Sequence, residues 1–185
     1  YQPEYADKLA YIPIPIDLSI NPFHPIKSTP EVVKFFIGIQ QHRTAIKGTD
    51  ILLDVLREIH DKYPRESHIQ KVVSVPFDEY NKLLVDCHIL LDQLYSYTPA
   101  TNALAAMARG VSGAEPEFYN FIGEQKLRPI INVLPDRNDI FKQLENLIIH
   151  RDQLPRLSTE SRQFVEKYHD HVKVARQYLE FWEKH

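Results

Sequence analysis

The chain has 185 residues, 43% hydrophobic and 25% charged, with ten Tyr, nine Phe and one Trp. That composition fits one globular domain with its own core and excludes a disordered chain, which would carry fewer aromatics. The net charge of -3 argues against nucleic acid, and against an anionic membrane surface, as the main partner. The single cysteine, Cys87, allows no internal disulfide and points to a reducing, cytoplasmic setting. No apolar run approaches the roughly 20 residues that cross a bilayer, so no membrane span is expected. The opening Tyr1-Gln2-Pro3 has neither Met nor an apolar leader, which suggests a processed chain or a piece of a longer one.

Thirteen prolines and five glycines punctuate the chain. Pro3, Pro13, Pro15, Pro22, Pro25 and Pro30 crowd the beginning, so residues 1–29 read as an extended proline-rich arm. In Ile12-Pro13-Ile14-Pro15-Ile16, each residue before a proline is pushed to extended geometry. Ile12, Ile14 and Ile16 then share one side, either strapped across the chain's own body or docked on a protein partner.

Residues 30–185 read as a single all-α domain, a multi-helix bundle. Ser28 or Thr29 caps a first helix over 30–47, with Pro30 in its first position and Val32, Val33, Phe35, Phe36, Ile37 and Ile39 apolar. Gly48 stops it, and Thr49 or Asp50 caps a second helix. There Leu52, Val55, Leu56 and Ile59 fall on one face before Pro64. A short helical piece at 67–73 is possible. The most periodic segment, 77–96, places Phe77, Tyr80, Leu84, Cys87, Leu91 and Leu94 at alternating spacings of three and four, as in a central helix. Thr98 caps an alanine-rich helix over 99–109, and Gly110–Gly113 form a loop. Residues 115–125 and 127–134 are shorter helical candidates. Asp136 or Asn138 caps a helix with Ile140, Phe141, Leu144, Leu147 and Ile148 inward. Ser158 or Thr159 opens the last helix, 159–183. No strand shows convincing alternation, and no repeat is visible.

Candidate chemistry is sparse. Gln41, His42 and Arg43 close an otherwise apolar helix, where polar groups would need hydrogen-bond partners, so they are the candidate ligand site. Glu166 and His169 have the Glu-x-x-His spacing of a helical metal site, although no second copy exists. Cys87 and His88 are adjacent and would diverge on a helix, so they make a poor nucleophile and base. Gly110–Gly113 lacks the Lys and Ser or Thr of a P-loop, and no Gly-x-Ser-x-Gly elbow occurs.

Two loose resemblances follow. Arg162 and His169 on one helix resemble the Arg–His element of the helical HEPN ribonucleases, which implies a dimer acting on RNA. Gly38-Ile39-Gln40-Gln41 with Gly110-x-x-Gly113 resembles the all-helical haem dioxygenases of the indoleamine type, which implies haem with His42 as the substitute ligand. The expectation is therefore a non-catalytic helical interaction or regulatory module. The alternative is a helical small-molecule or metal/haem-binding protein with oxidoreductase activity. No cofactor is assigned.

Overall fold

A computed structural model describes residues 10–96, 99–110, 112–115 and 129–184. Its centre is a five-stranded parallel sheet, β1 (Val33–Ile39), β2 (Ser67–Val73), β3 (Ile89–Leu91), β4 (Ser112–Glu115) and β5 (Ile131–Asn132), in the order β2-β1-β3-β4-β5. The helices are α1 (Thr44–Lys47), α2 (Thr49–Lys62), α3 (Phe77–Val85), α4 (Thr101–Ala108), α5 (Arg137–Ile149), α6 (Leu154–Tyr168) and α7 (His171–Lys184). The expected all-α bundle is therefore corrected to a doubly wound α/β fold, with helices on both faces of a parallel sheet.

The correction turns on residues 30–47. Val33, Phe35, Phe36 and Ile37 form β1 and are fully buried. Val33, Phe35 and Ile37 join a core with Leu52, Val55, Leu56 and Ile59 of α2 and Ile140, Leu144, Leu147 and Ile148 of α5. Phe36 points to the other face, with Leu84 of α3, Leu90 of β3 and Ala103 and Ala106 of α4. A parallel strand covered on both faces needs no polar alternation, so its apolar run reads equally as a buried helix. β-branched and aromatic residues tip it to strand.

The segment 77–96 divides in the same way. Phe77–Val85 is helical, but Cys87 N–H donates to the Leu84 carbonyl at the helix end, and Ile89–Leu91 leave as a buried strand. Ile89 pairs with Phe35, and Leu91 with Ile37. The 67–73 piece is the edge strand β2, in register with all of β1 from Val33↔Ser67 to Ile39↔Val73. The 159–183 helix is two helices. α6 begins before Pro155, and the chain breaks at His169–Asp170, where the arm intrudes. The 115–125 candidate lies almost entirely outside the described residues. Of 127–134 the described part carries β5.

α2, α4 and α5 form where the sequence indicates. Gly48 sits at φ +66 between α1 and α2, a left-handed conformation that favours glycine. Asp136 caps α5 by accepting from Asp139 N–H at 2.9 Å.

The described part of the arm is a strap on its own body. Ile16 bridges to Asp170; its N–H donates to the His169 carbonyl at 2.6 Å, and its carbonyl accepts from His171 N–H at 3.1 Å. Ile16 is buried with Leu104, Met107, Phe164 and Val165. Among the described residues no helix is long and apolar enough to cross a membrane.

At the amino end of the sheet His88 stands in for a strand residue. Its Nδ1 accepts from Lys34 N–H at 3.0 Å, and its own N–H donates to the Lys34 carbonyl at 2.8 Å. Burial, reinforced by the Lys34 charge, pushes the imidazole down to about 4. The folded protein therefore favours the neutral ring, and this contribution is complete above the ordinary value near 6.5 and lost as pH falls towards 4. Stability should drop by on the order of 2 kcal/mol across that window. His88→Asn, which keeps an acceptor and cannot titrate, should flatten the dependence of denaturant midpoint on pH.

Candidate functional site

In an open doubly wound sheet, ligands bind beyond the carboxyl ends of the strands, where strand order reverses. Here β1 has β2 on one side and β3 on the other, so the chain leaves β1 at that reversal. A cleft of about 280 Å³ opens there. Its wall includes Gly38, Ile39 and Gln40 from the end of β1, Ser74 after β2, Tyr80 of α3, Lys47 of α1 and Asn102 of α4. Ser74 adopts φ +48, uncommon for a residue with a side chain, while its N–H donates to the Ile39 carbonyl at 3.1 Å.

Backbone contacts place Lys47. Its carbonyl accepts from Leu94 N–H at 2.8 Å. A Cβ on the next residue, Gly48, would lie 2.9 Å from Leu94 Cδ1, so glycine also permits this close approach. Lys47 Nζ donates to Asp92 Oδ1 at 2.8 Å, and Asn102 Nδ2 donates to the same oxygen at 3.2 Å. Asp92 is only 2% exposed, and its Oδ2 has no hydrogen-bond partner.

Tyr80 forms the other wall. Its ring meets Phe36 edge-on, at 4.9 Å and 82°, and lies over Gly38. Its hydroxyl is buried and makes no hydrogen bond. Burial pushes the phenol up to about 12, and the nearby Asn102 side chain partly opposes this. Thr49 Oγ1, at the start of α2, is likewise buried without a partner. The cleft thus combines the Lys47 ammonium with the first turn of α4, where Asn102 lines it, a setting suited to an anionic oxygen.

Gln41, His42 and Arg43 form an exposed 3-10 turn that follows Gln40 after β1. They were expected at a helix end and instead follow a strand; Gln40 lines the cleft, and none of these three does. Glu166 and His169 do not converge. Arg162 Nε donates to Glu166 at 2.6 Å, and His169 Nδ1 meets the Ile14 carbonyl at 2.9 Å beneath the arm. Among the described residues no group of three or more His, Cys, Asp or Glu could hold a metal. Arg162 also donates to the carbonyls of Asn21 and Ala108, so the pair expected from the HEPN resemblance is engaged in fixing the arm. Ile12, Ile14 and Ile16 do not present one free face, because Ile14 is 40% exposed and Ile16 4%. Burial raises the Cys87 thiol to about 12, as befits a core residue.

The sequence reading gave no site role to Lys47, Tyr80, Asp92 or Asn102, and met Gly38 only in the haem-dioxygenase resemblance. Ile37-Gly38 closing a β-branched run, followed by Lys47-Gly48-Thr49 opening a helix, is a strand–turn–helix signal once 33–39 is read as a strand.

No family model and no curated protein matches the sequence. Solved structures do match in fold. Anabaena HepE in complex with UDP and glucose aligns with a TM-score of 0.65 at 13% identity, over 93% of this chain and 56% of its own. Sucrose-phosphate synthase from Thermosynechococcus elongatus gives 0.65 at 14% identity, over 94% and 51%. The catalytic domain of cholesterol-α-glucosyltransferase from Helicobacter pylori gives 0.51 at 10% identity, over 74% and 98%. Identities this low establish the fold, the Rossmann-like α/β fold of GT-B glycosyltransferases. The chain spans about half the length of the first two. These neighbours run against the expected non-catalytic interaction module, and the parallel sheet removes the helical bundle on which the small-molecule or metal/haem-binding alternative was drawn.

Gly38 tests the geometry of the cleft. A Cβ there would lie 2.7 Å from Tyr80 Cε2, on a ring already packed against Phe36. Gly38→Ala should destabilise the protein by about 1–3 kcal/mol, measured by urea unfolding. Adding Tyr80→Ala should remove the Gly38→Ala increment, since the clash is with that ring.

Proposed function

We propose that this chain is the nucleotide-sugar-binding half of a glycosyltransferase. The observation that carries the reading is the cleft at the strand-order reversal, with Lys47 in its wall. The fold neighbours add support: the Anabaena HepE structures hold UDP, UDP with glucose, or UDP-glucose. A nucleoside diphosphate sugar fits this chemistry. Lys47 and the first turn of α4 would meet the diphosphate, whose negative charge grows as the glycosyl bond to phosphate breaks. Gln41, His42 and Arg43, which follow the cleft residue Gln40, would add polar and cationic groups. The half of the neighbours' length not matched here would supply the acceptor side.

Titration calorimetry with UDP and UDP-glucose tests this, with uridine as the control lacking phosphate. Both nucleotides should bind and uridine should bind far more weakly. Lys47→Ala should weaken UDP by about tenfold to a hundredfold, the effect of losing a charge-assisted hydrogen bond. Absence of binding by either nucleotide would overturn the reading.

A further inference from the structure

The polar atoms behind the cleft are not paired one to one. Lys47, the ammonium in the cleft wall, is already bound to Asp92 at 2.8 Å. Both side chains are largely withdrawn from water, Lys47 at 15% exposure and Asp92 at 2%. An entering phosphate therefore meets an ammonium whose charge is already balanced by a buried carboxylate, and the two anions oppose each other there. If Lys47 turned to the phosphate, Asp92 would keep only the Asn102 amide, and a buried carboxylate stripped of its counter-ion is strongly unfavourable.

A second donor lines the same cleft as Asn102, the amide on Asp92, and lies within electrostatic reach of the carboxylate. Tyr80 has a buried hydroxyl with no hydrogen bond, and Asp92 has a buried oxygen with none. The phenol remains protonated at any ordinary pH, and the Asp92 charge reaches it strongly enough to raise it further. The ring is held by Phe36 and Gly38, so the hydroxyl is already fixed in the wall. An unpaired buried polar atom is left at a cost in stability, and here there are two.

We infer that Asp92 is an internal counter-ion that competes with the phosphate of a nucleoside diphosphate for Lys47, and that the Tyr80 hydroxyl takes over Asp92 when the phosphate binds. This rests on the nucleotide-sugar reading of the cleft. No proton is transferred: the Lys47–Asp92 contact is exchanged for a Lys47–phosphate contact and a Tyr80–Asp92 hydrogen bond. Tyr80 is thus a positioning residue, and Asp92 sets affinity by opposing it.

The test uses UDP and inorganic pyrophosphate as probes in calorimetry, with melting temperature recorded for each variant. Asp92→Asn removes the competitor and should tighten both probes by about tenfold at low salt. Tyr80→Phe removes one unpaired oxygen, so the ligand-free melting temperature should stay level or rise while the probes bind about tenfold more weakly. In the Asp92→Asn background Tyr80→Phe should have no effect on affinity, because no carboxylate is left to cover. A folded Asp92→Asn protein that binds no tighter than wild type overturns the inference alone. So does a Tyr80→Phe loss of equal size in both backgrounds, which would mean that the hydroxyl meets the ligand itself. If Asp92→Asn does not fold, undiminished binding by Tyr80→Phe overturns the inference. If wild type and Asp92→Asn both fail to bind either probe, this inference and the proposed function fall together. Binding gained only in Asp92→Asn would support the competition directly.

Discussion

The structure depends on β1 being buried from both sides. Val33, Phe35 and Ile37 enter one core and Phe36 the other, and all four are fully buried. Each such side chain contributes about 1.5–3 kcal/mol on leaving water. That burial makes β1 interior to the sheet, hydrogen-bonded to β2 and to β3. From this position the rest follows. The crossover through α2 brings β2 to one flank, and the one through α3 carries the chain past β1 to form β3 on the other. The strands diverge where β1 ends, and that divergence is the cleft. Gly38 is the price of the same arrangement, since Tyr80 crosses β1 too closely for any side chain there.

The local signals were legible where a helix has one covered face. Leu52, Val55, Leu56 and Ile59 mark α2 because its other face meets water, and Asp136 marks the start of α5 with a cap that forms. The signals failed where both faces are covered. Val33–Ile39 and Ile89–Leu91 carry no polar alternation, and Cys87, Leu91 and Leu94 continue the helical spacing of 77–84 by coincidence. What decides between strand and helix there is long-range pairing, Phe35 with Ile69 and Ile89, which no window of local sequence contains. The break at His169 has the same origin. A continuous helical pattern from 159 to 183 is interrupted because residue 16, far away in sequence, takes the hydrogen bonds at that point.

The site was less legible than the fold. Gln41, His42 and Arg43 drew attention as polar residues ending an apolar run, and that run does end at the carboxyl edge of the sheet. Lys47, Asp92 and Asn102 are separated by up to 55 residues, and nothing in their spacing relates them until β1 and β3 lie side by side. Tyr80 looked like one more member of an apolar stripe. Its ring does pack as a core aromatic, and only the surroundings of its oxygen distinguish it.

Polar satisfaction separates the two ends of the sheet. At the amino end, buried or half-buried polar groups are matched: His88 with the Lys34 backbone, Arg109 with Asn81, and Ser67 with the Tyr63 carbonyl and His60. Among the described residues four buried side-chain atoms lack a partner. One is His171 Nδ1, beside Asp17 under the arm at 3.8 Å. The other three, Thr49 Oγ1, Tyr80 Oη and Asp92 Oδ2, lie on elements that leave the carboxyl ends of β1, β2 and β3. Had chain stability alone shaped this edge, a phenylalanine at 80 would serve the core better, since an unpaired buried polar group costs about 1–3 kcal/mol. Folds tolerate such groups where binding uses them, and here Tyr80 lines the same cleft as Lys47, and Asp92 holds the Lys47 ammonium.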